Sequence, residues 1–374
     1  SFDPLERASK LFDWTVRNIQ LDADDDYRAR WPWQTVLYGQ GTAEQRAWVF
    51  AQLCRQQKMD VVILQVPDDP GQTKFWLPAL LHEGQLYLFD TRLGLPLPGS
   101  DDTGVATLAE LAANAERLSQ LSVNQLSYSV SADQIRQATA AVVASPFALS
   151  QRAKLLETEF TGDDRLVLSV DADALAKQVG ALANVGDVTL WNEAYRAILE
   201  QLRRPKSKRI AEATEFEPFA WRPLLYKARV LHFQGTDEVR KDPSRGNLTE
   251  EINSHREASR LYTSPRVRPP KKLLDELPSD DKRTVYSAAK SRATYWLGLL
   301  SYEEGRYKIA ADWLLRRTLA AQPDGPWTSG ARYNLARTYE QLGRTDEAIA
   351  LYEADESPQR LGNLLRARRL SRSE

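Results

Sequence analysis

The residue types that most often carry out chemistry in enzymes are scarce in this sequence of 374 residues. It contains one cysteine, Cys54, and three histidines, His82, His232 and His255. One cysteine can build neither a disulfide framework nor a cysteine-based zinc site, and three scattered histidines leave little for a histidine-rich metal centre. We therefore predict no metal and no other cofactor. The remaining candidate chemistry is a nucleophilic thiol assisted by a base and an orienting carboxylate.

Neither the cysteine nor the first histidine stands in a setting typical of catalysis. Cys54 belongs to a predicted helix that begins after Thr42, and it shares an apolar stretch with Phe50. We interpret Cys54 as core packing, because a buried thiol behaves as a small hydrophobe. His82 stands beside Gly84 in the turn of a predicted hairpin. We interpret it as a surface residue, with a displaced catalytic base as the alternative.

The first hundred residues predict the order helix, helix, strand, strand, strand. Asp3 opens the first helix, and Thr42 with Gln45 three positions later forms a capping box for the second. The β-branched run 61–66 predicts a strand, and 75–81 with 85–90 predicts a hairpin. The third strand ends in an aspartate.

This order resembles the transglutaminase-like domain, a relative of the papain-like thiol enzymes. The resemblance covers about residues 10–100, and the segment Gly39-Gln40-Gly41-Thr42-Ala43 is similar to the family's glycine-led approach to its nucleophile. In that family a cysteine begins a helix, whose N-terminus stabilises the thiolate. A histidine follows on the second strand, and an aspartate that ends the third strand orients the imidazole.

Two of the three catalytic side chains of that family are absent here. Ala43 stands where the cysteine would be, Lys74 stands in the histidine position, and Asp90 matches the aspartate. Alanine offers no nucleophile, and lysine is a poor general base at its ordinary pKa. The resemblance implies the fold and argues against the activity. If Ala43 replaces a natural cysteine, the alternative is a hydrolase or acyl-transferase of the transglutaminase-like class.

Residues 105–204 predict a small α/β domain that follows the transglutaminase-like domain at 1–104. No glycine-rich phosphate loop follows its first strand, so a nucleotide site has no support. The predicted helices are 108–121, 131–143, 172–183 and 193–202, and the predicted strands are 165–170 and 188–191.

The third segment, 205–374, contains one pattern twice. The small and apolar residues Gly298, Gly305, Ala310 and Leu314 recur 38 positions later as Ala336, Gly343, Ala348 and Tyr352. Small residues at such positions let paired helices approach closely. The pattern resembles the tetratricopeptide repeat, whose period is about 34 residues. We expect an all-α array with a degraded first copy near residue 228, an inserted loop near 235–253 and a capping helix at 358–370.

Stacked helix pairs of this kind enclose a concave groove that is lined by the first helix of each pair. Basic and aromatic residues alternate at the groove positions, which suits an acidic peptide or a terminal carboxylate. The alternative is that the protein's own acidic N-terminal half fills the groove. The predicted partner-binding residues are Arg222, Arg229, His232, Arg292, Tyr295, Tyr302, Tyr333 and Arg337.

The net charge of −1 conceals an asymmetry between the two halves. Residues 1–200 carry 17 basic and 27 acidic side chains, and residues 201–374 carry 33 and 24. This asymmetry has three interpretations: the two halves attract each other, each half is simply solvated, or the basic half binds an acidic partner. We expect no nucleic acid partner, because basic residues are mixed with acidic ones and no binding motif is present.

No apolar run of about 18 residues is present, so we expect no membrane-spanning segment. The chain begins at Ser1 and not at methionine, which leaves open a signal or anchor removed before this residue and leaves the compartment undetermined. We expect an α+β N-terminal region joined to the helical array, similar to bacterial proteins that fuse the two. The predicted function is a soluble, non-catalytic scaffold or adaptor with protein or peptide partners. The alternatives are the thiol enzyme above, self-association and a structural subunit of a larger assembly.

Overall fold

The computed structural model describes residues 3–23, 29–68, 72–99, 104–114, 116–145, 149–164, 171–203, 205–235, 238–241 and 249–372. The protein is mixed α and β, and it divides into two compact units. The first unit comprises Ser1–Arg203 together with Glu356–Glu374, and the second comprises Arg204–Asp355. None of the helices in the described ranges combines the length and the apolar character that a membrane span requires.

The described strands are β1 (Gln20–Leu21), β2 (Gln40–Gly41), β3 (Val61–Asp68), β4 (Gln72–His82), β5 (Gln85–Asp90), β6 (Leu95–Pro96), β7 (Thr139–Val142), β8 (Val188–Leu190), β9 (Glu238–Lys241) and β10 (Thr249–Ile252). The described helices are α1 (Pro4–Asn18), α2 (Pro32–Tyr38), α3 (Ala43–Gln56), α4 (Leu108–Ala113), α5 (Glu116–Ser119), α6 (Ala132–Arg136), α7 (Gln151–Glu159), α8 (Ala172–Gly180), α9 (Glu193–Arg203), α10 (Lys206–Trp221), α11 (Pro223–Gln234), α12 (Ser254–Thr263), α13 (Lys271–Asp275), α14 (Asp280–Glu303), α15 (Tyr307–Leu314), α16 (Thr328–Gln341), α17 (Thr345–Glu353) and α18 (Arg360–Arg372). Gly162–Asp164 forms a 3₁₀ turn and Leu315–Leu319 a π-helical turn.

The first unit is built around a six-stranded sheet in the order β6-β5-β4-β3-β7-β8. All neighbours are antiparallel except β7 and β8, which are parallel. Strand β7 pairs with β3, with Val142 opposite Val62. The sheet therefore continues across the boundary that the sequence predicted between 104 and 105, and the two predicted domains form one unit.

Strand β7 also overturns the predicted helix 131–143. The capping box at Ser131 does begin a helix, but α6 ends at Arg136. The residues after it, Ala140, Ala141 and Val142, are buried in the sheet. A short, continuous apolar run is compatible with a buried helix or a buried strand, and the pairing partner β3 decides for the strand. The predicted helix 108–121 is likewise divided into α4 and α5.

The two faces of the sheet carry different layers. Phe89 of β5 packs against Phe12 of α1 and Phe50 of α3, with ring centroids 5.2 and 5.1 Å apart. Leu86 and Leu88 belong to the other core cluster, which includes residues of α4, α6 and α8. This separation follows from the alternation of side chains along a strand. The predicted strand at 188–191 is confirmed as β8, while the predicted strand 165–170 lies outside the described residues.

The C-terminal helix α18 belongs to the first unit and does not cap the helical array as predicted. Leu365 lies in the core cluster of the sheet, and Arg46 Nη1 donates to Gln359 Oε1 at 2.7 Å. Gly362 lets the backbone of α18 approach the carbonyl group of Leu93 closely. A Cβ atom at this position would lie only 1.7 Å from the Leu93 carbonyl oxygen. The sequence analysis missed these contacts, because the many charged residues of this helix do not indicate which of its side chains are buried.

The second unit consists mainly of paired helices, α11 with α12, α14 with α15, and α16 with α17. The last two pairs turn in the same way: Gly305 and Gly343 have φ values of +70° and +68°. The amide of the next residue then bonds back to Ser301 or Tyr339 at 2.8 and 2.9 Å. Strands β9 and β10 pair antiparallel within the predicted loop 235–253, so this region is not all-α as expected.

Candidate functional site

Ala43 occupies the first position of α3, as the sequence predicted. Thr42 Oγ1 accepts a hydrogen bond from Gln45 N at 3.3 Å, which closes the predicted capping box. Ala43 is fully buried, and its carbonyl oxygen accepts from Thr91 Oγ1 at 2.9 Å. The helix start is therefore fixed to the strand end by Thr91 and not by Asp90.

Lys74 does not lie in a catalytic arrangement. It pairs with Val66 across β4 and β3, and its Nζ lies 3.5 Å from Asp68 Oδ1. Its side chain is 40% exposed, so the pair is a solvent-facing ion pair of small energetic weight.

Asp90 is the buried end of a chain of side-chain hydrogen bonds. Its carboxylate accepts from Tyr128 OH at 2.7 Å and from the amides of Arg92 and Leu93 at 2.8 and 2.9 Å. Trp76 Nε1 donates to the same tyrosine oxygen at 2.7 Å. Asp90 thus orients a tyrosine, where the transglutaminase-like family would have it orient a histidine.

Burial governs the protonation of this chain. It raises the pKa of Asp90, against the hydrogen bonds from Leu93, Tyr128 and Arg92, which favour the carboxylate. Burial and the neighbouring carboxylate raise the pKa of Tyr128 well above its ordinary value. The tyrosine hydroxyl therefore stays protonated at neutral pH and remains a proton donor to Asp90.

Part of this arrangement has a signal in the sequence. Aspartate side chains at turns accept hydrogen bonds from backbone amides shortly after them, and glycine supplies positive φ in turns, so Asp90 followed by Gly94 indicates a turn. Gly94 has a φ of +67°, and its amide donates to the Asp90 carbonyl at 2.8 Å. Tyr128 lies 38 residues from Asp90 and has no such signal. Trp76 faces Tyr128 where the register of β3 and β4 shifts, as a β-bulge does.

Cys54 and His82 do not complete a site. Cys54 is fully buried, and burial raises the pKa of its thiol, which confirms its interpretation as core packing. His82 ends β4 next to a turn in which Glu83 and Gly84 have positive φ, and its Nε2 lies 3.9 Å from Glu83 Oε1. The hairpin is confirmed.

Most of the residues predicted to line a partner groove are inaccessible. Arg222 and Arg292 are half-buried. The predicted exposure is wrong for the other six, which are buried: Arg229, His232, Tyr295, Tyr302, Tyr333 and Arg337. For Tyr295 and Tyr302 the reason is an additional layer, since α10 and α12 both pack on α14.

The pair Arg229 and His232 lies in the polar core of the second unit. The guanidinium of Arg229 is held between the rings of Phe233 and Trp296, 4.2 and 4.3 Å from their centroids. His232 Nε2 lies 3.1 Å from Glu303 Oε2, and its Nδ1 lies 3.4 Å from Arg229 Nη1. These neighbours suit a neutral imidazole that donates from Nε2 and accepts at Nδ1. Burial lowers the pKa of His232.

The remaining predicted groove residues stack on aromatic neighbours of the same unit. Tyr295 lies parallel to Trp327 with centroids 4.7 Å apart, and Tyr333 OH accepts from Arg337 Nη1 at 3.3 Å. The other three also contact aromatic rings: Arg222 lies over Tyr286, Arg292 over Phe219, and Tyr302 meets Tyr307 edge to face. Such contacts stabilise the stack of helices.

An open groove of about 560 Å³ lies beside this polar core. Glu303 connects the two, because its carboxylate contacts buried His232 and also lines the groove. The lining is polar and carries both signs of charge: Asn253, His255, Arg256, Ser259, Glu303, Glu304 and Arg306. The sequence analysis missed this surface, since its residues lie around the predicted inserted loop and at a helix turn.

No group of three or more His, Cys, Asp or Glu side chains in the described ranges is arranged to hold a metal ion. Comparison with known proteins gives no further identification: no protein-family model, no curated protein and no solved structure matches this chain. The site must therefore be interpreted from its own geometry.

Proposed function

We propose that this protein is a non-catalytic scaffold that binds a protein partner through its second unit. The observation that carries the absence of catalysis is Asp90. Its carboxylate is occupied by Tyr128 and two backbone amides, and Thr91 contacts the helix start where a nucleophile would stand. We propose that the first unit has a transglutaminase-like fold and has lost the thiol chemistry of that family.

The binding role is supported by the repeated helix pairs of the second unit. Their turns at Gly305 and Gly343 share one backbone geometry at a spacing of 38 residues, in line with the tetratricopeptide-like resemblance. Arrays of this type usually present extended surfaces to partners. We assign the contact to the groove around Arg256 and Arg306, because six of the eight residues predicted for this role are buried.

A paired charge-reversal experiment tests the binding role. The full chain is compared with an Arg256→Glu/Arg306→Glu variant and with Arg316→Glu, whose side chain is 80% exposed outside the groove. Partners captured from native lysate and identified by mass spectrometry should be lost in the first variant and retained in the second. Partners retained by both variants would exclude this groove as the binding surface.

A reactivity experiment tests the absence of thiol chemistry. Cys54 is buried with a raised pKa, so iodoacetamide should not label it in the folded protein and should label it in denaturant. An Ala43→Cys/Lys74→His variant should gain no amide or ester hydrolysis, since Asp90 is engaged by Tyr128. Turnover by that variant would restore the hydrolase or acyl-transferase alternative. Native mass spectrometry of the chain alone would identify self-association.

A further inference from the structure

A second groove in the second unit, of about 400 Å³, is lined by cations from three segments. Lys271 begins α13, Lys290 lies in α14, and Arg317 lies in the π-helical turn. Hydroxyl and amide side chains complete the polar lining: Ser287, Ser291, Thr294, Thr318 and Gln322. This basic groove lies apart from the groove assigned to protein partners.

Arg268 adds a fourth cation behind the lining. Its Nε donates to Thr294 Oγ1 at 3.1 Å, and its guanidinium lies 4.7 Å from the ring centroid of Trp313. Arg317 lies 4.3 Å from the centroid of the same ring. Both guanidinium groups therefore contact one indole, and the charge of Arg317 acts unfavourably on that of Arg268.

The cations of the basic groove are only partly compensated by acidic groups. Asp312 Oδ2 accepts from Arg317 Nε at 2.8 Å, and Asp275 acts on Lys290 from a distance. The Lys290 ammonium has no hydrogen bond or ion pair with any residue in the described ranges, and burial together with Arg268 lowers its pKa. Burial and Arg317 lower the pKa of Arg268 in the same way. Three positive charges, those of Arg268, Lys271 and Lys290, remain without a direct acidic contact among described residues.

The backbone around Arg317 departs from an ordinary helix. Ala320 N donates to Leu315 O at 2.8 Å across five residues, and Thr318 Oγ1 donates to Trp313 O at 2.9 Å across the same interval. Turns of this π type are rare and occur frequently at functional sites. Here the wider turn holds Arg317 over Trp313, at the edge of the groove.

We propose that the basic groove binds a phosphate dianion. A phosphate dianion would offset most of this uncompensated positive charge, and guanidinium, ammonium and hydroxyl groups are the donors that phosphate oxygens accept from. The phosphate is either free, on a small molecule, or carried by a peptide, since the same groups recognise all of these. This site does not depend on the proposed partner-binding function.

Isothermal titration calorimetry of the full chain with phosphoserine, at low ionic strength, tests the proposal. We expect one site with a Kd of about 1 mM or tighter, weakened by added salt. Lys290→Gln and Arg317→Gln should each weaken binding by at least about tenfold, because each removes a charged donor. Arg316→Gln is the matched control, since Arg316 is the adjacent arginine, lies near the same Asp312 and does not line the groove. It should change the affinity less than about twofold.

Thermal unfolding measurements check that each variant is folded. Lys290→Gln removes an uncompensated charge, so it should leave Tm unchanged or raise it. Phosphoserine should raise Tm of the natural chain by more than that of this variant. No binding at about 10 mM phosphoserine, or equal weakening by Arg316→Gln and Lys290→Gln, would overturn the proposal. Succinate binding as tightly as phosphoserine would overturn the assignment to phosphate.

Two further titrations identify the source of the phosphate. Inorganic phosphate and a short phosphoserine peptide are compared, with the unphosphorylated peptide as a blank. Similar affinities for inorganic phosphate and the phosphopeptide indicate a free or small-molecule phosphate. A phosphopeptide that binds at least about tenfold more tightly indicates a peptide-borne phosphate. Binding of the unphosphorylated peptide with equal affinity would overturn the proposal.

Discussion

Replacing Asp90 tests whether this aspartate has a structural role. Asp90→Ala would leave three donors without their acceptor: Tyr128 OH and the amides of Arg92 and Leu93. An unsatisfied buried donor costs about 1–3 kcal/mol. Allowing for water that enters the space, we expect the free energy of unfolding of the first unit to fall by roughly 3–5 kcal/mol.

Asp90→Asn is the matched control, because it keeps the shape and an acceptor oxygen. We expect a free energy of unfolding within about 1 kcal/mol of the natural chain at neutral pH. The pKa of Asp90 is raised in the folded state, so the folded state binds the proton more tightly than the unfolded one. The contribution of Asp90 to stability therefore falls as pH rises from the unfolded pKa, about 3.9, through the folded pKa. The amide does not titrate, so the stability difference should move in favour of the Asp90→Asn variant over that window.

Hydrogen exchange of β5, read by mass spectrometry across a urea series, measures this unit separately, since two compact units need not unfold in one step. A double-mutant cycle with Tyr128→Phe should give a coupling of about 1 kcal/mol or more between the two side chains. If Asp90→Ala costs less than about 1 kcal/mol, or if Asp90→Asn costs as much as Asp90→Ala, the structural interpretation is wrong.

Two further predictions concern α18 and the polar core of the second unit. Gly362→Ala should destabilise the first unit by roughly 3 kcal/mol or more, because the added Cβ would overlap the Leu93 carbonyl. Gly343→Ala is the control and should cost only about 1 kcal/mol, because there is open space around Gly343. Equal losses of stability in thermal unfolding would refute this prediction. The pKa of His232 is lowered in the folded state, so the unfolded state binds this proton more tightly than the folded state does. As pH falls below the unfolded pKa of about 6.5, the second unit should therefore lose stability. The loss should be at most about 1.4 kcal/mol per pH unit. His232→Gln should flatten the pH dependence of its denaturation midpoint, and an unchanged slope would contradict the assignment.

Local signals in the sequence predicted the elements that short-range physics controls. The capping box at Thr42 places the start of α3 correctly, because it depends on residues three positions apart. The turn glycines Gly305 and Gly343 are where the repeat places them, since positive φ favours glycine. The burial of Cys54 follows from its apolar neighbours.

The tertiary structure decided what depends on distant partners. Strand β7 was predicted as helix, because an apolar run of that length does not reveal whether a strand such as β3 lies beside it. Asp90 was matched to a catalytic position, yet its hydrogen-bond partner Tyr128 comes from a segment with no recognisable signal. The groove residues were predicted as exposed, because a repeat register gives the face of a helix and not the layers that cover it.

The sequence by itself determined the capped start of α3, the turn glycines, the repeat of 38 residues and the absence of a nucleophile at Ala43. Only the tertiary structure assigned α18 to the first unit and brought Arg268, Lys290 and Arg317 towards one groove. The physical reason is the distance along the chain over which each interaction acts. Caps, turns and periodicity act within a few residues along the chain, whereas charge clusters and buried hydrogen bonds join residues that only folding brings together.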